Sequence, residues 1–149
     1  MELKRVVVTG LGALTPLGHN VEETWEALKS GKSGAGPITH FDASQFKTQF
    51  ACEVKNFNVA DYIDRKEARK MDIYEQYAVV AAMEAMKDAN FDLEKLDRTK
   101  AGVVLGVGIG GMHTFEEECS NWAVNGKEMG PKFSPFLIPK MIADIASGQ

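Results

Sequence analysis

A chain of 149 residues is long enough for one ordinary domain with a real core, and 44% hydrophobic with 26% charged residues is the balance of a soluble globular protein. Seventeen basic against twenty-one acidic residues leave a formal charge of −4, which argues against general nucleic-acid affinity, because that needs a basic face to neutralise phosphates. No apolar run approaches the ~18 residues of a membrane span, and the short valine run near the start is followed by no small-residue cleavage site of a signal peptide.

Lys4 to Thr9 (KRVVVT) is a β-branched run ending at Gly10, the pattern of a buried parallel strand. Gly10 to Gly18 (GLGALTPLG) is a loop punctuated by glycine and proline. Asn20 has N-cap chemistry with Glu23 as its capping-box partner, Trp25 and Leu28 mark the buried stripe of the helix that follows, and Gly31 sits where a C-terminal glycine cap belongs. Lys32 to Pro37 reads as a loop and Gln49 to Val54 as a short strand. Asp64 to Lys70 is a short charged helix. Asp72 caps the clearest helix of the chain, with Glu75 as capping-box partner. Ala78, Ala81 and Ala85 on that helix point to close packing against a sheet or a symmetry-related helix.

Gly102 to Leu105 reads as a second buried strand, and it runs into the glycine loop GVGIGG. Residues 113 to 124 look helical with Glu116, Glu117 and Glu118 outward, Gly126 to Phe133 is a loop, and Pro139 opens a last amphipathic segment. Gly106, Gly108 and Gly111 fit G-x-G-x-x-G, but a dinucleotide site also needs a second strand ending in an acid ~20 residues on. Glu128 has the right separation but lies in the loop-like NGKEMGPK. The better reading is that these glycines let backbones approach closely. Cys52 and Cys119 match neither a disulfide framework nor a zinc pattern, so two free thiols in a reducing cytoplasm are expected.

Six motifs occur in order: VVVTGLGALTPLG, the helix with Trp25, GKSG, RKEARKMD, GVGIGG and FSPFLIP. Together they resemble the N-terminal part of a β-ketoacyl-[acyl carrier protein] synthase of the bacterial type II elongating class, over essentially the whole chain. The resemblance implies an α/β protein: the N-terminal portion of a thiolase-like fold layered α-β-α-β-α, incomplete in this chain, and a homodimer when full-length. It also implies decarboxylative condensation of an acyl thioester with malonyl-acyl carrier protein, without a cofactor and with acyl carrier protein as partner.

The family's nucleophilic cysteine and two histidines fall beyond Gln149. Cys52 and Cys119 lack the nucleophile's context; glutamates beside Cys119 would disfavour a thiolate. His19, His40 and His113 match no catalytic histidine motif. The chain alone is therefore expected to be inactive. Stopping at ASGQ inside an unfinished amphipathic segment points to a fragment, and the strands 4–9 and 102–106 without partners should leave apolar surface exposed.

By the resemblance, Ile109 of the GIGG loop and Leu137 of the SPF segment line the acyl tunnel, with adjacent Phe136 contributing. RKEARKMD corresponds to the carrier-docking segment. Lys66, Arg69 and Lys70 share one helix face at (i, i+3, i+4) spacing, and Arg65 and Lys132 extend the patch. An acidic enzyme that recruits an acidic carrier needs such a local positive patch. The alternative is a stand-alone homologue that binds acyl chains or carrier protein without catalysis.

Overall fold

The computed structural model describes residues 4–90, 92–129, 133–142 and 144–148. Its elements are α1 (Val21–Lys29), β1 (Gly36–Pro37), β2 (Phe50–Ala51), α2 (Arg65–Ala68), α3 (Ile73–Asp88), α4 (Met112–Met129), α5 (Leu137–Met141) and α6 (Asp144–Ser147), with a short 3₁₀ turn at Val59–Asp61. Chain contacts divide it into two compact units, Met1–Asn58 with Val80–Phe91, and Val59–Val79 with Asp92–Gln149. Helix α3 thus gives its N-terminal part to the second unit and the rest to the first.

In the first unit, α1 is built by local signals. The Asn20 side chain accepts from the Glu23 amide (2.8 Å), while Glu23 reaches back to the His19 amide (2.9 Å), one residue earlier than a standard capping box. At the other end the Gly31 amide donates to Leu28 and the Lys32 amide to the Ala27 carbonyl (both 3.0 Å). Gly31 takes φ +69, the left-handed cap of a Schellman motif. The buried residue of α1 is Ala27. Trp25 and Leu28, read as the buried stripe, are exposed (Trp25 58%). Periodicity marks a face; burial needs a neighbouring element, and none among the described residues covers that face.

The loop from Gly10 to Gly18 lies on α3. The Gly10 and Gly12 backbones meet the helix backbone at Ala85–Ala89 and Ala81–Ala85, so closely that a Cβ on Gly12 would overlap the Ala81 carbonyl. The alanine face of α3 therefore packs against glycine-loop backbone, where a sheet or a second helix was expected. Two acids one turn apart on α3 satisfy the loop's amides: Asp88 accepts from Leu11 (2.9 Å), and Glu84 accepts from Ala13 (2.8 Å) and from Val21 at the start of α1 (2.9 Å). The expected strand at Gln49 to Val54 forms only at Phe50–Ala51, antiparallel to Gly36–Pro37, so the expected loop over Lys32 to Pro37 carries a strand at its end.

Two other expected strands do not form. Residues 4–9 and 102–105 have no ladder partner among the described residues, and their valines stand in solvent (Val6 88%, Val104 96%). A strand, unlike a helix, closes none of its hydrogen bonds within itself, so a β-branched run remains extended coil until another strand pairs with it. The exposed apolar surface expected at these runs is present.

In the second unit, α4 runs on through Gly126 to Met129, past the expected stop at residue 124. Gly126 is used for packing: a Cβ there would meet the Trp122 indole at 2.6 Å. Glu118 does not face outward, because it accepts from the Ser134 amide (3.2 Å). Pro139 lies within α5 and does not open it.

Candidate functional site

The second unit holds the candidate docking helix, the glycine loop and the SPF segment. Asp64 caps α2 by accepting from the Lys66 amide (2.8 Å), Ala68 and Met71 turn inward, and Arg65, Lys66 and Arg69 are exposed. The helix ends at Ala68, and the Lys70 amide donates to the Glu67 carbonyl (3.0 Å) in a tightened last turn. Lys70 differs from the other cations: its Nζ is bound to both Glu67 carboxylate oxygens at 2.8 Å. The three exposed cations make no ion pair with a described residue, so Arg65, Lys66 and Arg69 carry the free positive charge of the segment. Lys132 lies outside the described residues.

Just beyond this segment is a buried acidic cluster. Half of the capping box expected at the start of α3 forms: the Asp72 amide donates to Glu75 Oε2 (2.7 Å), while the Glu75 amide donates to the Asp72 backbone carbonyl (3.1 Å) and not to its carboxylate. The Asp72 carboxylate is used elsewhere. Its Oδ2 accepts from both the amide (3.2 Å) and the hydroxyl (2.6 Å) of Thr114, in the first turn of α4. The residue before α4 is Gly111, at φ +68 and without a side chain to cap anything, so Asp72 supplies the N-terminal acceptor across 42 residues of sequence.

Glu75 is wholly enclosed, and its Oε1 and the Tyr74 hydroxyl are buried without a hydrogen-bond partner among the described residues. Burial first, then the charge of Asp72, push the Glu75 carboxyl above the ordinary carboxylate range, against the pull of the Asp72 amide and Lys140. Burial and the same two acids push the Tyr74 phenol up to about 12.

The cluster sits beside the glycine loop. A Cβ on Gly110 would meet the Tyr74 ring and hydroxyl (2.5–2.6 Å), and one on Gly111 would meet the Lys140 carbonyl (2.6 Å) and Met141. The close-approach reading of the glycines holds at these two positions; at Gly102, Gly106 and Gly108 nothing lies within 4 Å. Since α4 fills the stretch after the loop and Glu128 lies within that helix, no strand follows it among the described residues to complete a dinucleotide fold. Gly111 thus seats the loop on α5, which begins with Leu137 directly after Phe136. Leu137 is half-buried, Phe136 is 39% exposed, and Ile109 is 79% exposed at the loop's tip.

Cys52 and Cys119 are both free. His19 has a structural role: its Nε2 donates to the Lys55 carbonyl (2.8 Å), and its ring stands edge-on to Phe57. Among the described residues no group of three His, Cys, Asp or Glu could hold a metal, and no helix is long and apolar enough to cross a membrane. The Asp72 cluster was legible only in part, because its capping box is a local pattern whereas its bond to Thr114 is not. Asp72→Ala is expected to cost about 2–3 kcal/mol, since it leaves two buried donors of Thr114 unpaired. Hydrogen exchange should show lost protection at the first turn of α4, with Asp72→Asn milder because an acceptor remains.

A capped basic segment, a glycine loop seated on a short SPF helix and an alanine face covered by glycine backbone occur here in one chain. Residues 3–149 match the N-terminal domain of the beta-ketoacyl synthases, and the chain belongs to that family. It is similar to 3-oxoacyl-[acyl-carrier-protein] synthase 2 of Staphylococcus aureus (strain COL), with 47% identity over 146 residues, 98% of this chain and 34% of that protein. The protein of the same name from Synechocystis sp. is 44% identical over 148 residues, 99% of this chain and 35% of its own length. Among solved structures, the ishigamide ketosynthase/chain length factor superposes with a TM-score of 0.75 at 31% identity, covering 94% of this chain and 34% of that one. The fold is the N-terminal portion of the thiolase-like ketosynthase fold, and the chain spans about a third of the length of the curated relatives it matches.

Proposed function

We propose that this chain is the N-terminal part of a 3-oxoacyl-[acyl carrier protein] synthase of fatty acid biosynthesis, cytoplasmic and homodimeric. The observation that carries the reading is the 47% identity over 98% of the chain to a relative bearing that name. In the reaction, an acyl group passes from carrier protein to a cysteine thiolate. Malonyl-carrier protein loses CO₂, and the resulting carbanion attacks the acyl thioester and expels the thiolate. On this reading the nucleophile and histidines lie outside this chain, which covers 34% of that relative's length.

The chain's own share is threefold. Ile109, Leu137 and Phe136 form a wall of the acyl pocket, supported by the seating of the glycine loop against α5. Part of the surface serves the dimer. Arg65, Lys66 and Arg69 steer the acidic carrier protein, supported by their exposure and freedom from ion pairs, with Lys70 and Lys132 at the margin.

The charge reversal Lys66→Glu with Arg69→Glu is expected to weaken carrier-protein binding at least about tenfold at low salt, an effect that shrinks when salt screens the pair. Lys70→Glu should cost less, because Glu67 already neutralises Lys70. Calorimetric titration with acyl carrier protein at two salt concentrations measures both. Equal binding by the double variant would remove the docking role.

A further inference from the structure

The first unit has a cavity of about 280 Å³ whose lining includes none of the residues assigned above to the acyl pocket or to carrier docking. Three loops wall it, each held in place by a bond already described or by one of its own. The turn at Thr15–Gly18 is closed by paired backbone bonds (2.9 and 3.3 Å). The Schellman end of α1 delivers Lys32 and Ser33 to the rim. The segment with Lys55 and Asn56 is pinned by the His19 bond to the Lys55 carbonyl, and Asn56 takes a left-handed φ of +57, a conformation asparagine tolerates. Gly34 packs against Pro16, where a Cβ would stand at 2.8 Å, and so draws the second loop against the first.

The lining is rich in donors. Lys32 and Lys55 both reach the cavity, and neither ammonium is ion-paired to a described residue. The Ser33 hydroxyl accepts from the Ala35 amide (3.2 Å), so its own proton is available to donate. Glu23 is the one acid of the lining, and its carboxylate is taken up by the His19 amide. Two ammonium groups against one occupied carboxylate leave the cavity positive. Lysine binds phosphate as a point charge, and the volume admits a phosphate with a small substituent.

We propose that this cavity binds a phosphate group, presented as inorganic phosphate or as a small phosphate monoester. The lysines supply charge, and Ser33 and Asn56 supply neutral donors.

The test is an amide NMR titration of the 149-residue chain at constant ionic strength, with inorganic phosphate, with glycerol 2-phosphate, and with chloride alone. Saturable shifts at residues 18–19, 32–33 and 55–56 with either phosphate, absent with chloride, are the expected result. Tighter binding of the monoester would assign a phosphorylated ligand; equal binding would assign free phosphate. Lys32→Met and Lys55→Met should each weaken binding about tenfold, and Lys55→Arg should retain it. Lys32→Met with Lys55→Met in one chain removes both charges and should abolish saturable binding. Shifts equal to those with chloride, or binding unchanged by Lys32→Met and by Lys55→Met, overturn the proposal.

Discussion

Gly12→Ala is expected to unfold the first unit. A Cβ at this position overlaps the Ala81 carbonyl and stands 2.8 Å from the Ala85 amide nitrogen, both backbone atoms of α3 that no rotamer change can move. The loop must lift off the helix. It then breaks the bonds that Glu84 and Asp88 accept from Ala13 and Leu11, and it disturbs the Glu84 bond to Val21 that starts α1. Overpacking against backbone together with those losses amounts to about 3 kcal/mol or more, a large share of a small unit's stability. Two control glycines separate causes. Gly31→Ala meets nothing within 4 Å and should cost only about 1 kcal/mol for its left-handed φ, while Gly102→Ala, open and without that φ, should be close to neutral. Urea midpoints rank the three; a Gly12→Ala loss below that of Gly31→Ala would mean that the loop does not rest on α3.

For Glu75 the effect should depend on pH. Its carboxyl is raised in the folded chain, chiefly by burial. Between the ordinary carboxylate value and the folded one, the unfolded chain has released this proton and the folded chain still holds it. Stability therefore falls as pH rises through that window, and the contribution is fully present only below the ordinary value. Glu75→Gln keeps an oxygen to accept from the Asp72 amide and has no proton to lose. It should abolish the slope and leave the variant more stable at neutral pH, on the order of 1–2 kcal/mol, by sparing a buried charge beside Asp72. Glu75→Leu separates charge from hydrogen bonding, because it also ends the slope but strands the Asp72 amide. Thermal melts from pH 4 to 8 read both variants, and parallel curves for wild type and Glu75→Gln would show that Glu75 titrates normally.

These two sites illustrate different kinds of legibility. The Asn20 cap, the Glu75 bond to the Asp72 amide, the glycine cap at Gly31 and the charged helix that opens at Asp64, although it stops at Ala68 and not at Lys70, were read correctly from the chain, because each is closed by groups within a few residues. So was the family, since six ordered motifs are local text. Trp25, Leu28 and the outward placement of Glu118 were misread, because burial and partnership are properties of the neighbour and the periodicity of one element does not contain them.

By itself, then, the sequence determined where α1, α2 and α3 begin and how α1 is capped, through bonds closed within a few residues, and, through its ordered motifs, the family to which the chain belongs. Only the tertiary structure decided that Asp72 caps α4 through Thr114 and that Glu84 and Asp88 hold the glycine loop. It also decided that two valine runs have no ladder partner among the described residues. Each of these depends on a group far away in sequence, and a strand without its partner has no local bonds to hold it.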